Sequence, residues 1–295
     1  MDRVKEILRK IRRLELLTRH RVESAFAGQY HSVFKGRGMN FEEVREYEPG
    51  DEIRTIDWNV TARTGQPHVK RYTEERELTV MLVVDVSASG VFGSQDLSKR
   101  ELAAEVAALL AFSAMQNNDK AGLILFSDRV EFYLPPRKGR SHALRLVREV
   151  LFFQPAHAGT RPEVALEFLN RVQSRRAVVF LLSDFMAPDF SKALSITARR
   201  HDLIAVPISD PLEREIPDLG LISFEDPETG REIEVNTSRR GLRRSFSELR
   251  KSEELRWQQI FARLRVDTIP LETGRDCIPP LRDFFRRRER RRNLE

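Results

Sequence analysis

The run Leu78-Thr79-Val80-Met81-Leu82-Val83-Val84-Asp85-Val86-Ser87-Ala88-Ser89 decides how the chain is built. Leu78 to Val84 is a continuous apolar stretch of strand length, and a carboxylate and two hydroxyls follow it within five residues. A strand apolar on both faces belongs inside a sheet that is covered by helices on both sides. The next periodic stretch, Leu97 to Met115, carries Ala, Leu, Val and Phe over most of its circumference, as a helix flattened against such a sheet does.

The alternation continues outward. Gly122 to Phe126 and Val130 to Leu134 are separated only by Ser127-Asp128-Arg129, a spacing that allows only an antiparallel hairpin. Helices are predicted at Arg140 to Phe153, Pro162 to Gln173 and Phe190 to Arg200, with strands at Ala177 to Ser183 and Leu203 to Ile208. The order β-α-β-β-α-α-β-α-β predicts an α/β fold: a mostly parallel, doubly wound sheet with one antiparallel edge strand. Ligands of such a sheet lie beyond the carboxyl ends of its strands.

After Asp210 the pattern breaks. Leu221 to Phe224 and Glu232 to Val235 flank Asp226-Pro227-Glu228-Thr229-Gly230, which predicts an inserted β-hairpin within residues 211–237. A long polar helix from Ser238 to Leu264, a last strand from Asp267 to Leu271 and a closing helix from Ile278 to Arg287 complete the chain. Ahead of the sheet, Val4, Ile7, Leu8, Ile11, Leu14 and Leu17 predict an amphipathic helix. Residues from Gly28 to Arg76 give short extended pieces at Tyr30 to Phe34, Glu43 to Tyr47 and Val69 to Tyr72, broken by Gly and Pro. The expected division is therefore residues 1–76, helix and β-containing segment, and residues 77–295, the α/β domain. Whether residues 28–76 form their own small unit or pack on the larger domain stays open at this stage.

Composition bounds the function. With 295 residues, 40% hydrophobic and 33% charged, the chain is long and apolar enough for a sizeable core. Its apolar stretches fall far short of the roughly 18 residues that span a bilayer. The charged N-terminus lacks the apolar core of a secretory signal, so a cytoplasmic location is expected. Cys277 is the only cysteine, which excludes an intrachain disulfide and a thiolate zinc site. Net charge is +6, but residues 1–21 hold eight Lys/Arg against three acids and residues 282–295 hold seven against three, so the body between them is slightly negative. That distribution makes nucleic acid an unfavoured partner and confines any anionic-surface binding to the termini. Arg286, Arg287, Arg288, Arg290, Arg291 and Arg292 are expected to be a solvated helix end. Gly36-Arg37-Gly38 has no Gly-Lys-Ser/Thr after it, which argues against nucleotide binding. The six histidines show no metal-ligand spacing.

The chemistry gathers at strand ends. Asp85, Ser87 and Ser89 leave the first strand together, and a carboxylate with two hydroxyls suits a hard cation such as Mg²⁺, with Mn²⁺ or Ca²⁺ as alternatives. Thr160, before the helix that begins near Pro162, either caps that helix or points into the same site. Asp184 terminates the strand from Ala177, which in a parallel sheet can lie beside the one ending at Asp85.

This order, with Asp85, Ser87 and Ser89, then Thr160, then Asp184, resembles a von Willebrand factor A (vWA) domain with its metal-ion-dependent adhesion site (MIDAS). The resemblance implies that the serines and the threonine bind Mg²⁺ directly or nearly so, and that the aspartates act directly or through water. A narrower resemblance covers nearly the whole chain. Gly38, Glu43-Val44-Arg45-Glu46-Tyr47, Pro49-Gly50-Asp51, Arg54, Ile56-Asp57-Trp58, Thr61-Ala62-Arg63 and Glu74-Glu75-Arg76 are similar to the signature of prokaryotic domain-of-unknown-function family fifty-eight. That resemblance implies a MoxR-type AAA+ ATPase as partner. The mixed charges of Asp51, Arg54, Asp57 and Arg63 around Ile53, Ile56 and Trp58 are expected to form an ion-paired, tightly packed turn.

The expected function is a non-enzymatic, metal-dependent protein-protein interaction module that captures an acidic residue of a partner, the ATPase or its client. A metal-assisted hydrolase at the same edge is the alternative from another class, though the sequence supplies no G-x-S-x-G turn and no triad partner for it. An anionic-surface binder acting through the basic termini is the third.

Overall fold

The computed structural model describes residues 40–73, 77–225 and 230–294. The helix expected over residues 4–17 and the extended piece at residues 30–34 lie outside the described residues. The chain divides into two compact units, Phe34–Leu78 and one that contains Thr79–Glu295.

In the smaller unit, β1 (Asn40–Glu46) pairs antiparallel with β2 (His68–Thr73). Between them run a 3₁₀ turn (Ile53–Thr55) and a short helix, α1 (Trp58–Thr64). Asp57 caps α1 by accepting from the backbone N–H groups of Asn59 and Val60, and Gly65 ends it in the left-handed conformation at φ 76°. Arg45 grips Asp51 with two hydrogen bonds of 2.9 and 2.7 Å, and Asp51 Oδ2 also accepts from Glu48 N at 2.9 Å, which closes the Pro49-Gly50 turn. The expected tight packing around these charges is not found, because Ile53 and Trp58 are each 67% exposed. Asp51 and Asp57 each accept hydrogen bonds within their own turns.

In the larger unit, β3 (Thr79–Asp85) is central. Parallel neighbours flank it, β4 (Lys120–Phe126) on one side and β6 (Val178–Ser183) on the other. β5 (Val130–Arg137) closes one edge as the antiparallel partner of β4, and β7 (Asp202–Ser209) continues the parallel sheet beyond β6. Two short pieces, β10 (Asp267–Thr268) and β11 (Leu271–Glu272), both pair parallel with β7. The last strand predicted as one piece is therefore broken at Pro270, which has no N–H to give the ladder. The order β10-β7-β6-β3-β4-β5 is the mostly parallel α/β sheet with one antiparallel hairpin edge that the sequence predicts.

Helices cover both faces. Met81, Val83, Ile124, Phe126, Val179 and Leu181 point to one face, where α4 (Pro162–Val172), α5 (Ser191–Arg200) and α7 (Arg240–Leu264) pack. Leu82, Val84, Leu123 and Leu125 alternate to the other face and are equally buried. There α2 (Lys99–Gln116) lies against the sheet, with α3 (Arg140–Phe152) packed on it. The predicted insertion is a separate two-stranded hairpin, β8 (Leu221–Glu225) with β9 (Glu232–Asn236), outside the main sheet. A four-residue helix, α6 (Pro211–Arg214), leads into it, and α8 (Ile278–Leu294) closes the chain.

Candidate metal centre at the carboxyl edge of the sheet

The site grows out of strand register. β3 and β6 run in parallel with Val84 opposite Leu182, so Asp85 and Ser183 emerge side by side although 98 positions separate them. Ser183 Oγ donates to Asp85 Oδ2 at 2.9 Å, and Ser87 N donates to Asp85 Oδ1 at 3.0 Å. Beyond Ser87 the chain enters a 3₁₀ turn (Ala88–Val91), which folds Ser89 back so that its Oγ lies 3.1 Å from Ser87 Oγ. Ser89 Oγ in turn donates to Asp184 Oδ2 at 2.9 Å. Asp85, Ser87, Ser89 and Asp184 thus form one hydrogen-bonded chain.

The Asp184 turn is held from behind. Phe185 has φ 57°, an uncommon value for a large side chain, while its N–H donates to Ser183 Oγ at 3.1 Å. Its buried ring packs against Phe190, Trp257 and Phe261, with centroids 5.2 to 6.0 Å away. Packing there fixes the turn that presents Asp184.

The third loop reaches the same place. Ala88 N donates to Ala158 O at 3.1 Å, and Arg161 N donates to Ser127 O at 2.9 Å, which fastens residues 158–161 to the Ser87 turn and to the end of β4. Thr160, between them, is buried. The helix α4 starts from Arg161, whose own side chain makes no cap bond. Glu131 gathers this loop by accepting from Ser127 Oγ at 2.7 Å and from the backbone N–H groups of Ala156 and His157. His157 itself stays 3.9 Å from Asp128 and outside the oxygen cluster.

Burial and charge set the site's electrostatics. Burial, and then the neighbouring Asp184 charge, push the Asp85 carboxyl up to about 7 against the bonds it accepts from Ser87 and Ser183. Burial raises Asp184 too, but the Lys99 ammonium and the bonds from Lys99, Met186 N and Ser89 outweigh it and hold that carboxyl below its ordinary value. Lys99, 3% exposed, reaches Asp184 Oδ2 at 2.8 Å and Glu213 Oε1 at 2.5 Å. Arg100 donates to Val86 O at 2.5 Å and Phe153 O at 3.1 Å, and it lines the same recess as Asp85. Sequence reasoning missed Ser183, Lys99, Glu213 and Glu131. Only Ser183, adjacent to Asp184 at a strand end, carried a readable signal.

The donor set fits a hard divalent cation. Its side-chain donors are carboxylate and hydroxyl oxygens, the ligand type such an ion prefers. No three His, Cys, Asp or Glu side chains gather as an all-protein cage among the described residues. An ion here would be held by two carboxylates, hydroxyls and retained waters. Beside Ser89 an apolar groove of 740 Å³ opens, with Phe92, Met186, Leu212, Phe224, Leu242 and Leu249 among its lining.

Sheet and cluster together define an α/β domain with an oxygen-rich candidate metal centre at its carboxyl edge. The chain belongs to the family described as "Protein of unknown function DUF58", which matches residues 43–256. Uncharacterized protein Rv1480 of Mycobacterium tuberculosis is 32% identical over 285 residues, covering 95% of this chain and 89% of that protein. Uncharacterized protein YeaD of Bacillus subtilis is 24% identical over 161 residues, 55% of this chain and 38% of YeaD. Among solved structures, BatB from Bacteroides thetaiotaomicron superposes with a TM-score of 0.47 at 15% identity, covering 72% of this chain and 99% of that one. The SpRpn10 VWA domain superposes at 0.33 and 14% identity, covering 45% and 76%. Among the described residues no helix is long and apolar enough to cross a membrane.

Proposed function

We propose that this protein is a non-enzymatic interaction module whose carboxyl-edge cluster holds Mg²⁺ and leaves one position of its shell for an acidic residue of a partner protein. The observation that carries this reading is the hydrogen-bonded chain of Asp85, Ser87, Ser89 and Asp184, assembled from strands far apart in sequence. Thr160, buried in a loop tied to the same turn, is assigned as the fifth donor. The apolar groove beside Ser89 favours a protein surface over a small polar substrate as what docks there. By the signature segment's resemblance, the partner is a MoxR-type AAA+ ATPase or its client, met in the cytoplasm.

The test is recovery of the neighbouring-gene ATPase on immobilised protein, with Mg²⁺ or with chelator, using wild type and Asp85→Ala. Recovery is expected only for wild type with Mg²⁺. Equal recovery in all four conditions would sink the metal bridge. Phosphoester or peptide turnover that vanished in Asp184→Ala would instead put a hydrolase at this edge.

A further inference from the structure

Lys99 is an unusual residue to find at the first position of a helix packed under a sheet edge. The helix start is already supplied by Ser98 and Glu101, which form a reciprocal capping box. Burying an ammonium is costly unless carboxylates surround it, and here two do, Asp184 and Glu213. The oxygen that Lys99 grips, Asp184 Oδ2, is the one that also accepts from Ser89, so the ammonium abuts the proposed coordination shell. Glu213 is fixed in turn, because its other oxygen accepts from Asp210 N at 3.0 Å.

The charges can be counted. With Asp85, Asp184 and Glu213 all ionised, the state a bound cation favours, these three and Lys99 and Arg100 sum to one net negative charge; a divalent ion turns that into one net positive. Without Lys99 the loaded site would be neutral. We infer that Lys99 sets the charge of this site so that a divalent ion is held weakly until a carboxylate ligand joins it, which makes metal and acidic partner depend on each other for binding. The inference rests on the metal reading above and gives Lys99 the role of a residue that determines which ligand completes the shell. A fixed cation within several ångströms of a divalent ion in a partly desolvated site opposes it by at least about tenfold in affinity. Linkage makes the effect reciprocal, so a carboxylate tightens the metal by the factor that the metal tightens the carboxylate.

Mn²⁺ titration followed by electron paramagnetic resonance of the free ion, on the full chain with acetate or ionic-strength-matched chloride, tests this. Wild type is expected to bind Mn²⁺ several-fold more tightly in acetate. Lys99→Met is expected to bind at least about tenfold more tightly than wild type in chloride and to lose most of the acetate effect. Glu213→Gln, which removes a negative charge while keeping an acceptor for Lys99, is expected to weaken Mn²⁺ binding by a similar factor. The double variant restores the count and is expected to return near wild type, a reversal that a purely structural lysine would not produce. Lys99→Met no tighter than wild type, or Glu213→Gln no weaker, overturns the inference; should Lys99→Met fail to fold, Glu213→Gln and the double variant decide it. Absence of Mn²⁺ binding by every variant, wild type included, overturns the metal reading itself.

Discussion

Ser183 shows how much of the candidate site depends on residues that are not themselves proposed ligands. Its hydroxyl donates to Asp85 Oδ2 and accepts from Phe185 N, so it aims one carboxylate and secures the turn carrying the other. Removing a hydrogen-bond partner of a metal ligand typically weakens metal affinity by about 10- to 100-fold. Ser183→Ala is expected to lose at least about tenfold in Mn²⁺ affinity while remaining folded by circular dichroism; unchanged affinity would show that Asp85 needs no such support. Phe185→Ala removes a fully packed ring from a cluster with Phe190, Trp257 and Phe261 and is expected to cost about 3–5 kcal/mol in urea unfolding. A loss under 1 kcal/mol would mean that the cluster does not hold the turn. Asp85, Ser87 and Ser89 are legible in the sequence because one apolar run delivers all three to the same edge. Asp184 becomes legible only once the strand order is inferred, and so does the approach of the Thr160 loop to the Ser87 turn. Lys99 does not, since a lysine just after a capping serine is ordinary on a solvated helix, and only the packing of α2 under the sheet edge turns it inward.

Among elements, the hairpin of β4 and β5 is closely constrained. Gly122 sits where a Cβ would lie 2.6 Å from Met81 Sδ and 3.1 Å from Pro136 N, and the pairing shifts register between Ala121 and Leu123. Pro135 and Pro136 are tolerated because β5 is an edge strand. Gly122→Ala is accordingly expected to destabilise by about 1–3 kcal/mol, read as a fall in the urea midpoint at constant slope. An unchanged midpoint would mean that the sheet yields at no cost. The strands and long helices of the larger unit follow from their apolar periodicity, most boundaries within a residue or two, though β5 runs three residues past Leu134 to Arg137. The short helix α1 does not, because Val60, Thr61 and Thr64 are β-branched and weak helix formers. Its readable marks are Asp57 and Gly65, the cap at one end and the left-handed residue at the other. The closing helix is longer than periodicity predicts, reaching Leu294.

At the scale of the whole domain, the expected solvated arginine end holds at Arg286, Arg287, Arg290 and Arg291, which are exposed, and needs correcting at Arg288. Arg288 is largely buried, donating to both oxygens of Asp202 at 2.6 and 2.8 Å and to Asp267 at 2.7 Å, with its guanidinium 5.2 Å from the Phe284 ring centre. Arg291 adds a bond to Asp267 at 3.0 Å. A run of like charges hides such a role from composition, because only the phase of α8 decides which arginine turns inward. Burial pushes the Asp267 carboxyl up, and the charge of Arg288 with the bonds from Arg288 and Arg291 more than reverses this, leaving it below its ordinary value. A depressed folded value means that the stabilisation is complete above the unfolded value of about 3.9 and disappears as pH falls through the folded one. Asp267→Asn is therefore expected to cost about 2 kcal/mol at pH 6, with the deficit shrinking below pH 4. A melting-temperature difference that did not vary with pH would contradict it.

Asp202 opens β7 and Ser209 ends it, seven residues later, so at roughly 3.3 Å per residue about 23 Å of sheet lies between the Arg288 anchor and the level of the oxygen cluster. The two poles of the domain are thus occupied separately. A support, a tag or a charged surface gripping the arginine-rich tail would act at the far end of the sheet from the cluster, so that tethering and capture need not compete for the same face.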